Sequence, residues 1–299
     1  MTKRCKKGSI VNKMKRKKLT LSDVMITLVL LLGGFVIFYP FYNSVLVSFM
    51  TEKEMMTNPF ALYVKDFTLA AYKQIFSDDN IFIGYKNSLL IILLGVPISM
   101  LVSTALAYAL SRNKFLFSKT INNMIIFTMY FSGGLVPTFL LVRNLGLMNS
   151  IWAIILPQAV TTYNVILIKN YFYTIPDSLA ESAKIDGAND LIIFGKIFLP
   201  LAKPILATVG LFYTVSKWNE WYNPMLFLKN MEKWPVQLVL REIIMNTNAE
   251  IEESGAVGEV FSRNIKMATI VVTMAPIMMV YPFLQKYFMK GIMIGAVKG

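Results

Sequence analysis

The sequence of 299 residues has no histidine and only one cysteine, Cys5, which lies in a stretch rich in lysine and arginine. The lack of histidine excludes histidine-based acid-base catalysis and Ser-His-Asp triads. A lone cysteine excludes an intrachain disulfide and, without histidine, a Cys/His metal site. Neither glycine-rich phosphate-binding motif, G-x-x-x-x-G-K-[ST] or G-x-G-x-x-G, is present. The chain therefore has no recognisable nucleotide-binding motif of its own.

Charged residues are also scarce, at 16%, whereas 56% of the residues are hydrophobic and the mean hydropathy is +0.55. Soluble domains carry about 25% charged residues, so the composition predicts a chain embedded mostly in lipid. The net charge of +13 is concentrated at the start, with nine basic residues from Lys3 to Lys18 and no acidic one among them. A basic run before an apolar span is typical of a cytoplasmic flank near anionic lipid, and nucleic-acid binding is not expected.

Six apolar stretches are long enough to cross a membrane, which takes about 20 helical residues. The sequence therefore predicts an all-α polytopic membrane protein. Its predicted spans are residues 24–49, 88–110, 121–142, 151–172, 205–227 and 267–288, the fifth being interrupted by polar residues. The first span is too long for a signal peptide and is followed by no small-residue cleavage site.

The distribution of basic residues predicts the orientation of these spans. With the N-terminus inside, the interior segments hold 19 basic residues against 10 in the exterior ones, so both termini are expected in the cytoplasm. The chain is then divided into a basic arm (1–23), a transmembrane domain (24–290) and a cytoplasmic tail (291–299). The long exterior loops, 50–87 and 229–266, are expected to hold short helices and either to dock an external partner or to serve as connectors.

A cytoplasmic loop, residues 173–204, contains recognisable helix signals. Ser178 and Glu181 form a capping-box pattern, which predicts a short helix beginning near Leu179. Gly187 is placed for a left-handed stop at its C-terminal end. Downstream, the apolar stretch 191–200 is expected to pack under the membrane domain before prolines break it ahead of the fifth span.

As a string, this loop resembles the E-A-A…G loop of permease subunits in bacterial ABC importers, with Ser182 where the signature usually has alanine. Residues 128–137, the pair Trp218-Asn219 and residues 281–299 are similar to the branch that imports oligosaccharides, specifically to its maltose-type second permease subunit. The resemblance implies that the short helix docks on an ATPase subunit. The residues that carry this coupling role are then Glu181, Ser182, Ala183, Asp186, Gly187, Ala188, Leu199 and Pro200.

The same resemblance implies a set of partners in a bacterial cytoplasmic membrane. These are a second related permease, two ATPase subunits that bind ATP and magnesium, and an extracellular sugar-binding lipoprotein. This chain itself would hold no cofactor or metal and would not be an enzyme.

The fifth span contains the polar run from Lys217 to Trp221. At about 1.5 Å per residue from position 205, Lys217 and Glu220 lie roughly 18–23 Å across a 30 Å core. Ionisable groups there are expensive unless paired or hydrated, and at i, i+3 these two can pair. The candidate residues of a translocation path are Lys217, Trp218, Asn219, Glu220, Trp221 and Asn164.

Purely structural interpretations of these polar residues stay open. The fifth-span run also fits an outer aromatic belt with snorkelling charges. Asn164 and the small residues 132–134 equally fit helix packing. The alternative function is an ion-coupled secondary sugar transporter, but Glu220 is the only acidic residue in a predicted span and the sequence shows no repeated halves.

Overall fold

A computed structural model describes residues 20–58, 62–112, 117–254 and 263–280. Across these residues the chain is helical, and its only extended pairing is an isolated bridge between Met50 and Phe67. The all-α prediction is thus confirmed. In chain order the helices are α1 (Leu21–Ser48), α2 (Glu52–Thr57), α3 (Ala70–Phe76), α4 (Asp79–Ser111), α5 (Ser118–Tyr130), α6 (Leu135–Asn144), α7 (Trp152–Ile155), α8 (Thr162–Phe172), α9 (Asp177–Ile185), α10 (Asp190–Ile193), α11 (Leu199–Leu201), α12 (Lys203–Trp218), α13 (Tyr222–Phe227), α14 (Val236–Ser254) and α15 (Arg263–Val280).

The first two predicted spans are continuous helices. α1 covers the first, and a capping box formed by Thr20 and Asp23 fixes its start. α4 covers the second but is 33 residues long and begins at Asp79, because Asp78 caps it by accepting the Asn80 amide at 2.9 Å. At about 1.5 Å per residue, α4 is longer than a 30 Å hydrocarbon core and extends beyond it.

The next three predicted spans are broken helices and not continuous ones. α5 and α6 meet at 112° across residues 131–134, where Gly134 has a φ of +90°. Gly134 allows the break, because this backbone conformation is accessible mainly to glycine. α7 and α8 are separated by residues 156–161, and α12 and α13 by residues 219–221.

A further bend separates the loop predicted to be cytoplasmic from the fifth predicted span. The run Asp190–Leu201, which includes a π-helical turn at Phe194–Phe198, meets α12 at 83°. The break predicted from the prolines is confirmed at Ala202, with Pro200 inside α11 and Pro204 in the first turn of α12. Proline is tolerated in a first helical turn because its missing N–H has no intrahelical acceptor there.

The loops predicted to be exterior contain helices, as expected. α2 and α3 lie in the first, and the Glu54 carboxylate ties that loop together by accepting the amides of Lys65 at 2.7 Å and Asp66 at 2.9 Å. The second contains a 3-10 turn at Met231–Lys233 followed by α14, whose length of 19 residues exceeds that of a short loop helix.

The largest core lies where α8 and α12 pack on α4. Aromatic rings fill this core near the C-terminal end of α4, where Tyr108, Phe172 and Phe198 are buried. Phe172 meets Phe198 edge-on, with ring centres 5.4 Å apart. α9 and α10 also add side chains to this core through Ala180 and Ile193. The predicted packing of the apolar stretch 191–200 beneath the membrane domain is consistent with the burial of Ile193 and Phe198.

The number of spans and their orientation stay predictions. By length and apolar character alone, the described residues contain three membrane-spanning helices, or five if each of two bent pairs crosses once. The predicted basic arm up to residue 19 and the predicted tail lie outside the described residues, as does the end of the sixth span beyond Val280.

Candidate functional site

The first candidate site is α9, a two-turn helix that projects from the core. Two small residues attach it: Ala180 is 2% exposed, and the half-buried Ala183 packs beside it on the core. The opposite surface is open, with Ile185 87% exposed and Glu181 and Ser182 also exposed. Since alanine side chains end at Cβ, α9 lies close against the core while presenting its longer side chains outward.

The C-terminal end of α9 has the predicted left-handed stop. Gly187 has a φ of +81°, its amide donates to the Lys184 carbonyl at 3.1 Å, and the Ala188 amide donates to the Ala183 carbonyl at 2.9 Å. This is the Schellman pattern that closes a helix on glycine. The prediction that Gly187 ends the helix is therefore confirmed.

The N-terminal end differs from the prediction, because α9 begins at Asp177 after Pro176 and no side chain caps it. The capping box expected from Ser178 is therefore wrong. Asp177 forms an ion pair with Arg112 at 3.2 Å, which holds it in the first turn ahead of Ser178. The Arg112 guanidinium also lies 4.8 Å from the centre of the Phe198 ring, within cation–π range. Arg112, which sequence reasoning missed, thus links α9 to the end of α4.

The residues predicted to couple to an ATPase fall into two groups. Six of them lie on α9 or in the turn that ends it: Glu181, Ser182, Ala183, Asp186, Gly187 and Ala188. Leu199 and Pro200 lie on α11, on the far side of the π-helical turn. An ion pair between Lys184 and Asp190 at 3.0 Å joins α9 to α10 and so connects the two groups.

The second candidate site is a cavity of about 400 Å³, within the range of about 300–1,000 Å³ usual for small-molecule sites. Segments next to each of the three helix breaks contribute to its wall. Its lining residues are Thr128, Met129, Pro157, Gln158, Val160, Thr161, Thr162, Tyr163, Tyr213, Ser216, Lys217 and Glu220. Non-helical backbone at membrane depth is tolerated where it lines a polar cavity or is covered by protein, so the breaks and the cavity belong together.

Hydroxyl groups join the walls of this cavity. The Thr161 amide donates to the Tyr213 hydroxyl at 3.1 Å, and that hydroxyl lies 2.6 Å from Ser103 Oγ of α4. Thr128 Oγ1 and Thr162 Oγ1 lie 3.2 Å apart. The cavity is therefore lined by hydrogen-bonding groups on α5, α8 and α12.

The predicted pairing of Lys217 with Glu220 is wrong. Both side chains line the cavity, but the Lys217 ammonium has no hydrogen-bond partner within the described part of the chain. Glu220 instead accepts from Gln158 Nε2 and from the Asn223 amide, each at 3.1 Å. α12 ends at Trp218, so the helical i, i+3 geometry on which the pairing depended does not reach Glu220.

The other predicted path residues lie elsewhere. Trp218 is buried against Tyr85, with ring centres 6.0 Å apart, and Trp221 stacks with Arg241 at 4.6 Å. Asn219 is exposed and Asn164 is buried on α8, and neither is among the lining residues. Sequence reasoning missed the cavity-lining threonines and Gln158. The available signal was Pro157, a helix-breaking residue within an apolar stretch. Among the described residues, no cluster of three or more His, Cys, Asp or Glu side chains could hold a metal ion.

A helical membrane protein with broken spans around a polar cavity and a short helix projecting from its core has the features of a transport permease. The chain belongs to the family of binding-protein-dependent transport system inner membrane components, which matches residues 87–294. It is 43% identical to the polygalacturonan/rhamnogalacturonan transport system permease protein YtcP of Bacillus subtilis, over 93% of this chain and 99% of that protein. It is 29% identical to the arabinooligosaccharides transport system permease protein AraQ of Halalkalibacterium halodurans, over 96% of this chain and all of that protein.

A solved structure agrees with this membership. A chain of a bacterial ABC transporter involved in the import of the acidic polysaccharide alginate superposes with a TM-score of 0.79 at 32% identity, covering 90% of this chain and 98% of that one. The protein is accordingly a permease subunit of an ABC importer and a multi-pass protein of the cytoplasmic membrane, not an enzyme. The matches give no support to the alternative of an ion-coupled secondary transporter.

Proposed function

We propose that the chain forms one half of an oligosaccharide pathway across the cytoplasmic membrane, with a second, related permease forming the other half. The cavity is the observation that carries this proposal. Thr128, Thr161 and Ser216 line it yet are exposed, so the wall is incomplete on one side and can be completed by another subunit. Its hydroxyl and amide groups suit the hydroxyl-rich surface of a sugar.

The substrate class comes from the relatives. Their names refer to polygalacturonan and rhamnogalacturonan, to arabinooligosaccharides and, for the solved structure, to alginate. An oligosaccharide is the chemistry common to these substrates. An extracellular sugar-binding lipoprotein would deliver it to the exterior loops, where α2, α3 and α14 provide folded surfaces.

Energy would enter through α9. Its exposed surface fits a groove on an ATPase subunit, while the alanines and the Arg112–Asp177 ion pair attach it to α4. In this proposal Glu181, Ser182, Ala183, Asp186, Gly187 and Ala188 form the docking helix and its end, and Leu199 and Pro200 support it from α11. Two ATPase subunits would bind ATP and magnesium, and this chain would hold no cofactor.

The test is reconstitution of the whole importer in proteoliposomes, with uptake and ATP hydrolysis measured separately. Ser216→Trp places a large side chain in the cavity wall and should abolish oligosaccharide uptake while leaving stimulated hydrolysis in place. Asn219→Trp, an exposed position next to the cavity but outside its lining, is the matched control and should transport normally. Equal uptake by the two variants would contradict the assignment of the cavity as the pathway.

A further inference from the structure

Residues 130–134, here called the elbow, join α5 to α6 in the middle of the predicted third span, 121–142. The 13 residues of α5 cover roughly 20 Å at about 1.5 Å per residue. Counted from the predicted cytoplasmic end of α5, the elbow therefore lies inside a hydrocarbon core about 30 Å thick. Its backbone from 131 to 134 is not helical, and the helices on either side meet at 112°. The elbow thus places irregular backbone at membrane depth.

The peptide groups of the elbow are incompletely paired. The Phe131 amide donates to the Phe127 carbonyl at 2.9 Å, and the Gly134 amide donates to Ser132 Oγ at 3.2 Å. The Ser132 and Gly133 amides have no acceptor within the described residues. Hydrocarbon offers no hydrogen bonds, so irregular backbone at this depth is tolerated only where protein or water contacts it. Lipid alone is therefore unsuitable as the surroundings of the elbow.

The aromatic side chains of the elbow make water alone equally unsuitable. Tyr130 is 82% exposed and Phe131 is 63% exposed, and the Phe131 ring stacks on Phe127 with ring centres 5.1 Å apart. Apolar surface in contact with water is costly, and an exposed apolar patch marks an interaction surface. A protein surface meets both requirements, because it can cover the rings and also hydrogen-bond to the free amides.

The pattern of exposure also distinguishes the elbow from a helix that faces lipid on one side. On α4 the exposed positions recur every three or four residues, as at Leu93, Pro97 and Leu101, with buried residues between them. That one-sided pattern is typical of a helix between a protein core and its surroundings. Every residue from 126 to 137 is exposed instead. The end of α5, the elbow and the start of α6 therefore project from the core.

We propose that the elbow is a contact surface for the second permease, at the open side of the cavity. This inference rests on the proposed function and names a surface through which the two subunits meet. Thr128 and Met129, just before the elbow, line the cavity and are exposed, so a subunit that covers the elbow also completes the cavity wall. The glycines leave room for it, because a Cβ at Gly134 has no heavy atom within 4 Å and one at Gly133 meets only Pro137, at 3.8 Å. Small residues of this kind let two helices approach closely.

Photocross-linking in the complete importer tests this contact. Phe131→p-benzoylphenylalanine keeps an aromatic ring at the elbow, and Leu101→p-benzoylphenylalanine on α4 is the matched control. The two positions are similarly accessible, since Phe131 is 63% exposed and Leu101 is 68% exposed. Irradiation should link position 131, but not position 101, to the second permease. An adduct with lipid alone, an adduct with a second copy of this chain, or equal yields at the two positions would overturn the inference.

Gly133→Trp provides a second, independent measurement. The open space at Gly133 accepts a large side chain within this chain, so the variant should insert into the membrane as well as the wild type. The indole would occupy space assigned to the second permease, so copurification of that subunit should fall at least about tenfold. Leu101→Trp is the matched control and should recover the second permease normally. Wild-type recovery with Gly133→Trp would show that the elbow is not part of the contact.

Uptake by the wild type separates this inference from the function on which it rests. If the two permeases copurify and import an oligosaccharide while position 131 links only to lipid, the assignment of the elbow is wrong and the proposed pathway stands. If this chain imports sugar without a second permease, or if the complete importer takes up no oligosaccharide, the proposed function itself is wrong.

Discussion

Gly187 ends α9 in a backbone conformation that valine resists, so Gly187→Val perturbs the proposed docking helix without touching any neighbour. Its φ is +81°, and a Cβ built at this position has no heavy atom within 4 Å. The cost is therefore backbone strain alone, about 1–2 kcal/mol for a side chain in the left-handed region. A cost of that size changes the population of the native helix end by a factor of roughly 5–30.

The strain should be relieved by opening the turn that ends α9, with loss of the hydrogen bond from the Ala188 amide to the Ala183 carbonyl. A cost of about 1–2 kcal/mol is small beside the 5–15 kcal/mol of a typical fold, so the permease should still insert and pair. The surface presented to the ATPase would change instead. Gly187→Val should copurify with the second permease but lose both uptake and substrate-stimulated ATP hydrolysis.

Two matched variants test this reasoning. Gly187→Asn should retain most activity, because asparagine adopts the left-handed region more readily than other non-glycine residues. Gly195→Val lies in the same loop, also with open space around its Cβ, but has no positive φ and should be much milder. Normal uptake and hydrolysis in Gly187→Val, or equal losses in Gly195→Val, would refute the coupling role of the helix end.

Three more outcomes are expected. Arg112→Met should lower thermal stability by about 1–2 kcal/mol through lost ring stacking and ion pairing, whereas Asp177→Asn should cost under about 1 kcal/mol because Asp177 itself is exposed; equal shifts of the melting temperature would argue against the stacking. Glu220→Lys removes the acceptor for two hydrogen bonds and adds a second cation to the cavity, so uptake should fall while sugar binding to the external protein is unchanged; normal uptake would favour the aromatic-belt interpretation. With the native cysteine replaced, Ala70→Cys should react with an impermeant reagent from outside and Ile185→Cys should not, and the reverse pattern would invert the predicted orientation.

Hydropathy was sufficient to predict the helical class and the long helices but not the breaks. α1 and α4 are uninterrupted apolar runs, which a window average detects directly. The same average passes over residues 131–134, 156–161 and 219–221, because a few non-helical residues barely change the mean hydropathy. The local signals were present, since Gly134 permits a positive φ and Pro157 has no backbone donor.

The two ends of α9 show why local motifs differ in reliability. The stop at Gly187 depends on backbone geometry that the residue itself determines, and it was predicted correctly. The start depends on a competition between a serine cap and an ion pair with Arg112, which lies 65 positions earlier in the chain. The set of residues that line the cavity also depends on contacts between distant parts of the chain, because Lys217 and Gln158 come to the same cavity only after α8 and α12 have packed on α4.

The three helix breaks also affect the electrical insulation of the membrane. Peptide groups outside helices need hydrogen-bond partners, and where the second subunit leaves the cavity open those partners are water molecules. A hydrated crevice lets ions approach part of the way across the bilayer, so the resting barrier to leakage is concentrated in the remaining thickness. In this chain that thickness includes the helices packed on α4, whose core contains the rings of Tyr108, Phe172 and Phe198. A transport cycle must therefore keep the remaining thickness closed while the crevice is hydrated, so that the membrane potential is not discharged.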